Sequence, residues 1–260
     1  MTLPVFVVPP GALAADSATL DGDEGRHAVV VKRIRVGEQL VLTDGRGESA
    51  ECEVTSVAKS SLVADVVVRR STSPAQPRLV VVQAIPKGDH AERAVDLLTE
   101  IGADVIVPWA AERNVVTWKG DRGAKALNRW RSIALAAAKQ SRRVWHPEVL
   151  DLHSTQDVAG LVEHAVAAYV LHETAVDTLV SRPVPIDGDV VVIVGPEGGI
   201  TDEELAQLGA AHVVRMGESV LRTSTAGVAA VAALLSRTAR WTSVSTAYDA
   251  PSGVAGRDNR

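Results

Sequence analysis

Residues 190–204 read VVVIVGPEGGITDEE, and their pattern is the clearest indication of the fold class in this sequence. Its first five residues are all apolar, which predicts a strand buried on both faces. A glycine-rich turn follows at residues 195–199. Thr201 and Glu204 then have the spacing of a capping box, which predicts the start of a helix. A buried strand, a tight turn and a helix in succession are typical of a parallel sheet covered by helices.

On both sides of this stretch, apolar strands alternate with helical segments. Strands are predicted at residues 79–85, 105–107, 167–171 and 213–216, and helices at residues 89–101, 123–141 and 224–238. This alternation predicts an α/β domain over residues 78–243. Residues 244–260 are rich in Ser, Gly, Ala and Asp, so we expect them to form a flexible tail.

The first 72 residues have a different pattern. Short β-prone runs at residues 29–31, 39–43, 51–55 and 62–68 are separated by turn residues. Close spacing of this kind predicts a small β-barrel. Residues 71–77 contain two prolines and no apolar period, so they are predicted to be the linker between the two domains.

The composition excludes several classes of protein. Of the 260 residues, 46% are hydrophobic, so a large core can form. The single cysteine, Cys52, excludes an intrachain disulfide framework and indicates a reducing, cytoplasmic location. Cysteine and histidine pairs with metal-ligand spacing are absent, so we expect no metal. The longest apolar run, residues 226–235, is too short to cross a bilayer, so we expect no membrane association.

Basic residues are concentrated in one stretch, although the net charge of the chain is −5. Residues 113–143 contain nine Lys or Arg and one acid, Asp121. Acids at helical spacing that could balance these cations are missing. The stretch therefore favours binding to a polyanion, and the alternative is a solvated helix face.

Three segments are predicted to follow strands at the sheet edge where open α/β folds bind ligands. They lie at residues 171–173, 195–199 and 217–225. The second segment lacks the patterns of a phosphate-binding loop, and Glu197 would repel a pyrophosphate. A ligand with a positive centre and hydroxyls, such as S-adenosylmethionine, would be compatible. A tight turn that binds no ligand explains the glycines equally well.

Arg222 is the one charged residue between Glu218 and Arg237. It lies in a loop rich in Ser and Thr at a predicted strand end. That setting favours a functional role over a surface ion pair. His172 also ends a strand, and for this residue a structural role and a functional role are equally compatible with the sequence.

In their order and spacing, these motifs resemble the RsmE-type small-subunit ribosomal RNA uridine-N3 methyltransferases of the SPOUT superfamily. The resemblance spans about residues 27–235 and rests mainly on LHE at 171–173, GPEGGIT at 195–201 with Glu204, and VLRT at 220–223 followed by Thr225 and Ala226. The chain departs from the family pattern at Ser224, where Glu is common, and at Ala136, Lys139 and the pair Glu218-Ser219. With Ser224 in place of Glu, the resemblance assigns no catalytic acid or base to that loop.

The resemblance implies an α/β fold class with two domains. Residues 1–72 would form a PUA-like RNA-binding β-barrel, and residues 78–243 a SPOUT domain with a deep C-terminal trefoil knot. The implied cofactor is S-adenosyl-L-methionine. The implied partners are 16S ribosomal RNA or the small ribosomal subunit, and a second copy of the chain in a homodimer. The implied reaction is methylation of a specific uridine at N3.

The resemblance also implies the residues of the site. The cofactor-binding residues would be Leu171, His172, Glu173, Val194, Gly195, Pro196, Glu197, Gly198, Gly199, Met216, Gly217, Val220, Leu221, Thr223, Thr225 and Ala226. The RNA-binding residues would be His27, Lys32, Arg33, Arg35, Arg131, Gln140, Arg142 and Arg143. Loss of the N3 proton leaves an anion, which Arg222 is predicted to stabilise, and Glu197 or a water is predicted to accept the proton.

Two other functions remain open on the sequence. A nucleotide-binding oxidoreductase would suit the α/β fold class. A non-catalytic RNA-binding protein would need only the β domain and the basic stretch. Binding of S-adenosylmethionine, but not of NAD, would distinguish a methyltransferase from an oxidoreductase. Methyl transfer to RNA would distinguish a methyltransferase from a non-catalytic RNA-binding protein.

Overall fold

A computed structural model describes residues 3–88 and 90–242 of the chain. The predicted tail, residues 244–260, lies outside the described residues. Strands and helices form two domains, each built on its own sheet. Residues 72–77 connect the last strand of the first sheet to the first strand of the second.

The N-terminal sheet contains five strands, β1 (Val5–Val7), β2 (Ser17–Leu20), β3 (Gln39–Thr43), β4 (Glu48–Val57) and β5 (Leu62–Ser71). Their order is β1-β3-β4-β5-β2, with β1 parallel to β3 and the other neighbours antiparallel. Phe6, Leu20, Leu40 and Leu62 are buried in its core. The predictions for β3, β4 and β5 are confirmed, whereas β1 and β2, which have only three and four residues, were not predicted.

One predicted strand of this domain is helical. Residues 29–31 are three consecutive valines, but they lie in a π-helical turn, His27–Val31, which continues helix α1 (Gly22–Arg26). Ala28 is buried in the core, while Val30 and Val31 are 52% and 65% exposed. The strand prediction is wrong because β propensity reflects packing on a pleated surface, and these valines have no neighbouring strand.

The C-terminal sheet contains six parallel strands, β6 (Arg78–Ala84), β7 (Val105–Trp109), β8 (Glu148–Val149), β9 (Ala167–Leu171), β10 (Asp189–Val194) and β11 (His212–Val214). Their order is β11-β9-β10-β6-β7-β8. The parallel sheet predicted from residues 190–204 is therefore confirmed. The two-residue strand β8 is too short to be predicted from periodicity.

Helices cover both faces of this sheet. They are α2 (His90–Ile101), α3 (Gly120–Gln140), α4 (Thr155–His164), α5 (Asp202–Gln207), α6 (Thr223–Leu235) and α7 (Ala239–Thr242). Val192 packs with α2, α3 and α6 on one face, and Val191 and Ile193 pack with α4 on the other. Burial of one such side chain contributes roughly 1.5–3 kcal/mol, so both faces of β10 must be apolar. This explains the unbroken apolar run at residues 190–194.

The last turn of α3 and the segment that follows it join the two domains. The Lys139 ammonium lies 2.5 Å from a carboxylate oxygen of Glu24. The Trp145 indole N–H donates to the carbonyl of Thr72 at 2.9 Å, and the His146 amide donates to the carbonyl of Gly45 at 2.9 Å. Part of the basic stretch therefore holds the domains together.

Two kinds of feature are absent from residues 3–88 and 90–242. None of the helices in these ranges has the length and apolar character needed to cross a bilayer. In the same ranges, no three His, Cys, Asp or Glu side chains are grouped so that they could hold a metal ion.

Candidate active site

The three predicted strand-end segments surround one cavity of about 830 Å³. Strands β9 and β10 are neighbours, and β11 pairs with β9, so their carboxyl ends meet at one edge of the sheet. The predicted residues that line the cavity are Leu171, His172, Glu173, Val194, Gly195, Pro196, Glu197, Gly198, Gly199, Met216, Gly217, Val220, Leu221, Arg222, Thr223 and Ala226. Thr225 lies behind this lining, and its hydroxyl donates to the carbonyl of Arg222 at 3.2 Å.

Neighbouring residues pack closely against two glycines of the glycine-rich turn, residues 195–199. A Cβ on Gly195 would lie 2.6 Å from Cγ1 of Ile200, and a Cβ on Gly198 would lie 2.9 Å from Cβ of Arg113. Gly199 has φ of +78°, and its amide donates to the carbonyl of Pro196 at 2.9 Å. The chain needs glycine at these positions because neighbouring residues fill the space of a side chain, or because the backbone is left-handed.

A buried carboxylate fixes the position of this turn. Glu204 is 3% exposed, and it completes the predicted capping box with Thr201 at the start of α5. One of its oxygens accepts from the Thr201 amide at 3.1 Å. The other accepts from the Glu112 amide at 2.9 Å and from the Thr155 hydroxyl at 3.2 Å. A single side chain thus ties α5 to α4 and to the loop after β7, which sequence spacing could not indicate.

Arg222 forms the N-cap of α6, and its main chain is held in place. The carbonyl of Arg222 accepts from the amides of Thr225 and Ala226, both at 2.9 Å. The side chain is exposed at the cavity and makes no hydrogen bond or ion pair within residues 3–88 and 90–242. Its positive charge therefore remains available to a bound molecule.

Further residues line the cavity. His90, Arg113, Ile200, Asp202 and Arg215 lie outside the three predicted segments, whereas Glu218, Ser219 and Ser224 lie within the predicted segment 217–225 but were not among the predicted cofactor-binding residues. Arg113 follows the carboxyl end of β7, so the strand-end rule could have indicated it. Its guanidinium donates to the carbonyl of Gly198 at 3.3 Å. The lining combines exposed carboxylates, among them Glu173 and Glu197, with exposed guanidinium groups.

His172 has a structural partner at the cavity edge. Its amide donates to the carbonyl of Val214 at 2.9 Å, which continues the pairing of β9 with β11. Its Nδ1 lies 2.9 Å from the hydroxyl of Thr174. The half-buried ring therefore shapes the cavity wall, and one nitrogen is already occupied within the protein.

The predicted RNA-binding residues lie in two separate places. Lys32, Arg33 and Arg35 are exposed on the N-terminal domain, directly after the π-helical turn. His27 begins that turn and packs edge-on against Phe6, with ring centroids 5.9 Å apart. Gln140 and Arg142 lie at the end of α3, where Gln140 is exposed and Arg142 is half-buried.

Arg143 and Arg131 bind other parts of the protein. The Arg143 guanidinium donates to the carbonyls of Thr99, Ala103 and Trp145 and to the Asp104 carboxylate, at distances from 2.5 to 3.1 Å. Its side chain is 13% exposed, and burial lowers the pKa of Arg143. Each guanidinium nitrogen of Arg143 therefore has a partner within the fold, and its contact with an RNA phosphate stays a prediction that this geometry does not favour. Arg131 is more exposed and pairs with Asp151 at 2.8 Å.

Comparison with known proteins shows similarity over nearly the whole chain. The sequence model of the RNA methyltransferase domain matches residues 73–235, and that of the RNA methyltransferase PUA domain matches residues 20–67. The second match confirms the expected PUA-like domain. Ribosomal RNA small subunit methyltransferase E of Mycobacterium bovis is 46% identical over 230 residues, which cover 86% of this chain and 88% of the relative.

Two further proteins extend this similarity. Ribosomal RNA small subunit methyltransferase E of Bacillus subtilis is 31% identical over 231 residues, which cover 85% of this chain and 90% of the relative. The crystal structure of the protein of that name from Neisseria gonorrhoeae, bound to S-adenosyl methionine, superposes with a TM-score of 0.81 at 28% identity. That superposition covers 91% of this chain and 98% of the other.

Proposed function

This chain belongs to the RNA methyltransferase family, and on that premise we propose that it transfers a methyl group from S-adenosylmethionine to N3 of a uridine in 16S ribosomal RNA. One observation carries the proposal. The three segments of the predicted signature, distant in sequence, line one cavity at the carboxyl edge of a parallel sheet. The similar protein from Neisseria gonorrhoeae was crystallised with this cofactor.

The residues of the cavity suit S-adenosylmethionine in size and chemistry. A volume of about 830 Å³ lies within the usual range for small-molecule sites. The glycine-rich turn brings backbone groups to the cavity, while Leu171, Val194 and Met216 add apolar surface. Exposed carboxylates of Glu173 and Glu197 suit a ligand with positive charge. When bound there, the cofactor would supply a methyl group carried on a positive sulfur, which becomes a neutral thioether on transfer.

Arg222 and Glu197 are the proposed catalytic residues. In this proposal the Glu197 carboxylate accepts the N3 proton of the uridine, and the electron pair left on N3 forms the bond to the methyl carbon. Negative charge on the uracil oxygens develops as the proton leaves, and the unpaired Arg222 guanidinium stabilises it. Both side chains line the same cavity as the glycine-rich turn.

The resemblance also implies three features of the fold and the assembly. We infer a barrel-like closure of the N-terminal sheet, a C-terminal trefoil knot and a homodimer, as the resemblance implies. The sheet order supports the knot: α6 follows the edge strand β11, yet it packs against the central strands β6 and β10. Light scattering that gives a single chain mass of 27.4 kDa, instead of twice that value, would contradict the homodimer.

Methyl transfer from labelled cofactor tests the proposed function. The purified protein is incubated with small subunits, and separately with free ribosomal RNA, from cells that lack it. Nucleosides are then analysed by mass spectrometry. We expect label in RNA as 3-methyluridine, and label in another nucleoside would contradict the N3 assignment. RNA binding without transfer would indicate a non-catalytic protein, and calorimetric binding of NAD instead of S-adenosylmethionine would indicate an oxidoreductase.

A further inference from the structure

The basic stretch, residues 113–143, divides into two parts in the folded protein. In its second part, four of the five cations form ion pairs with acids of other elements: Arg129 with Glu92, Arg131 with Asp151, Lys139 with Glu24, and Arg143 with Asp104. The nitrogen-to-oxygen distances run from 2.5 to 3.1 Å. The charge of this part is largely neutralised by the protein itself.

The first part of the stretch carries unpaired charge. Lys119, Arg122 and Lys125 are exposed, and within residues 3–88 and 90–242 no carboxylate lies at ion-pair distance from them. The exposed Asp121 is the one acid in this part. Together with Arg113, which is exposed at the cavity, these three residues form what we call the cationic strip.

One member of the cationic strip, Arg113, lies at the cavity, and the other three follow it along the chain. Arg113 donates to the carbonyl of Gly198 in the glycine-rich turn. Lys119 lies six positions further along the chain, which limits the distance between the two residues to about 20 Å. From Lys119 to Lys125 the strip follows the first turns of α3, which rise by roughly 9 Å. Trp118 packs edge-on against Trp130 with ring centroids 5.0 Å apart, so the intervening loop is anchored to α3.

We propose that the cationic strip binds the RNA phosphates next to the target nucleotide, and that the second part of the basic stretch does not. This inference rests on the proposed function and specifies where the substrate lies. An unpaired cation gains from neutralising a phosphate because counterions are released from the RNA. A cation that is already paired must first lose its carboxylate partner, so its net gain is smaller. The strip therefore directs RNA towards the cavity.

Two double variants of α3 test the inference. Arg122→Gln with Lys125→Gln removes two charges from the strip, and Arg129→Gln with Arg131→Gln removes two paired charges from the same helix. Affinity for a transcribed fragment of small-subunit ribosomal RNA is measured between about 50 and 200 mM salt, the range over which phosphate binding has large effects. We expect the strip variant to bind more weakly and its log–log salt slope to fall by about 0.7 for each phosphate that it no longer neutralises. The paired variant should keep the slope of the unmodified protein.

The results of these measurements distinguish the inference on RNA binding from the proposed function. Equal slopes for the two variants, a larger loss of affinity in the paired variant, or no binding of RNA by the unmodified protein would overturn the inference. Calorimetry with S-adenosylmethionine and thermal unfolding of each variant check that the cavity and the fold are intact. Failure of the unmodified protein to transfer methyl groups would contradict the proposed function instead, because the salt slopes do not depend on turnover.

Discussion

Arg222 combines a fixed backbone with a free side chain. Two amides of α6 bind its carbonyl, while its guanidinium faces the cavity without a partner in the described part of the chain. Because the proposed role is to stabilise charge that develops in the transition state, Arg222→Ala should lower the rate of methyl transfer by about 10²–10³-fold. The affinity for S-adenosylmethionine should change little. Single-turnover transfer and calorimetry measure the two quantities separately.

A second substitution separates the charge of Arg222 from its shape. Arg222→Lys keeps the charge but loses the planar, forked donor geometry, so it should recover only part of the rate. Glu197→Gln should lower the rate of methyl transfer, because a side-chain amide cannot accept the N3 proton as a carboxylate does. A rate that Glu197→Gln leaves unaltered would indicate that water accepts the proton. Turnover of Arg222→Ala at the normal rate would contradict the role of Arg222.

For single residues, the position at a strand end could be predicted from the sequence, but the contact partners could not. The three strand-end segments were predicted to lie together because the carboxyl ends of parallel strands meet at one edge of the sheet, whatever the sequence distance between them. The contacts of the Arg143 side chain could not be predicted, because its partners Thr99, Ala103 and Asp104 lie far from it in sequence. A basic residue appears the same in sequence whether it faces a phosphate or a buried carboxylate.

At the scale of elements, the glycine-rich turn depends on backbone geometry. Gly199 has φ of +78°, and among residues 3–88 and 90–242, apart from its two chain neighbours, a Cβ there would meet one heavy atom within 4 Å, Nη1 of Arg113 at 3.8 Å. Space is therefore available, and the cost of Gly199→Ala is conformational. Left-handed backbone with a Cβ costs about 1–2 kcal/mol, so the free energy of unfolding should fall by about that amount. Denaturant unfolding measures it.

Gly160→Ala is the matched control for this prediction. Gly160 lies inside α4, has no left-handed φ, and an added Cβ would meet nothing within 4 Å. Alanine there should raise the free energy of unfolding by about 0.5–1 kcal/mol, because glycine loses more chain entropy in a helix. A loss of stability in both variants would show that the predicted cost at Gly199 does not come from its backbone conformation.

Elements with strong periodicity or caps were predicted well, and short elements were not. The capping box of Thr201 and Glu204 and the apolar strand β10 carry local signals that the fold satisfies. Strands β1, β2 and β8 have two to four residues each, too few for a period to be visible. The valines of the π-helical turn gave the opposite signal, because tertiary packing of Ala28 outweighed β propensity.

At the scale of the whole molecule, the order of strands and the contact between domains could not be predicted. Periodicity identifies a strand but not its neighbours, and β10 lies between β9 and β6. The domain contact depends on the segment after α3, where Gly45 and Gly47 leave room for the rings of His146 and Trp145. A Cβ on Gly45 would lie 2.5 Å from Nδ1 of His146. The sequence shows glycines in a β-turn at this point, but not the domain that packs on them.

We expect this domain contact to be sensitive to pH, because it contains His146. Burial lowers the pKa of His146 below its ordinary value near 6.5, and the charges of Arg143 and Lys139 lower it further, against attraction from Asp44 and Glu24. Its Nε2 is buried and has no hydrogen-bond partner among residues 3–88 and 90–242. Neutral His146 therefore suits the folded protein, and a proton binds more readily to the unfolded chain.

The sign of the pH effect follows from this difference. Above pH 6.5 both states hold a neutral His146, and its contribution to stability is complete. As the pH falls below 6.5, the unfolded chain takes up a proton that the folded protein resists, so the free energy of unfolding decreases. Denaturant unfolding between about pH 7.5 and 5 should show this loss, and His146→Gln should make the slope shallower. Identical slopes for the unmodified protein and for His146→Gln would show that the domain contact does not depend on a neutral His146.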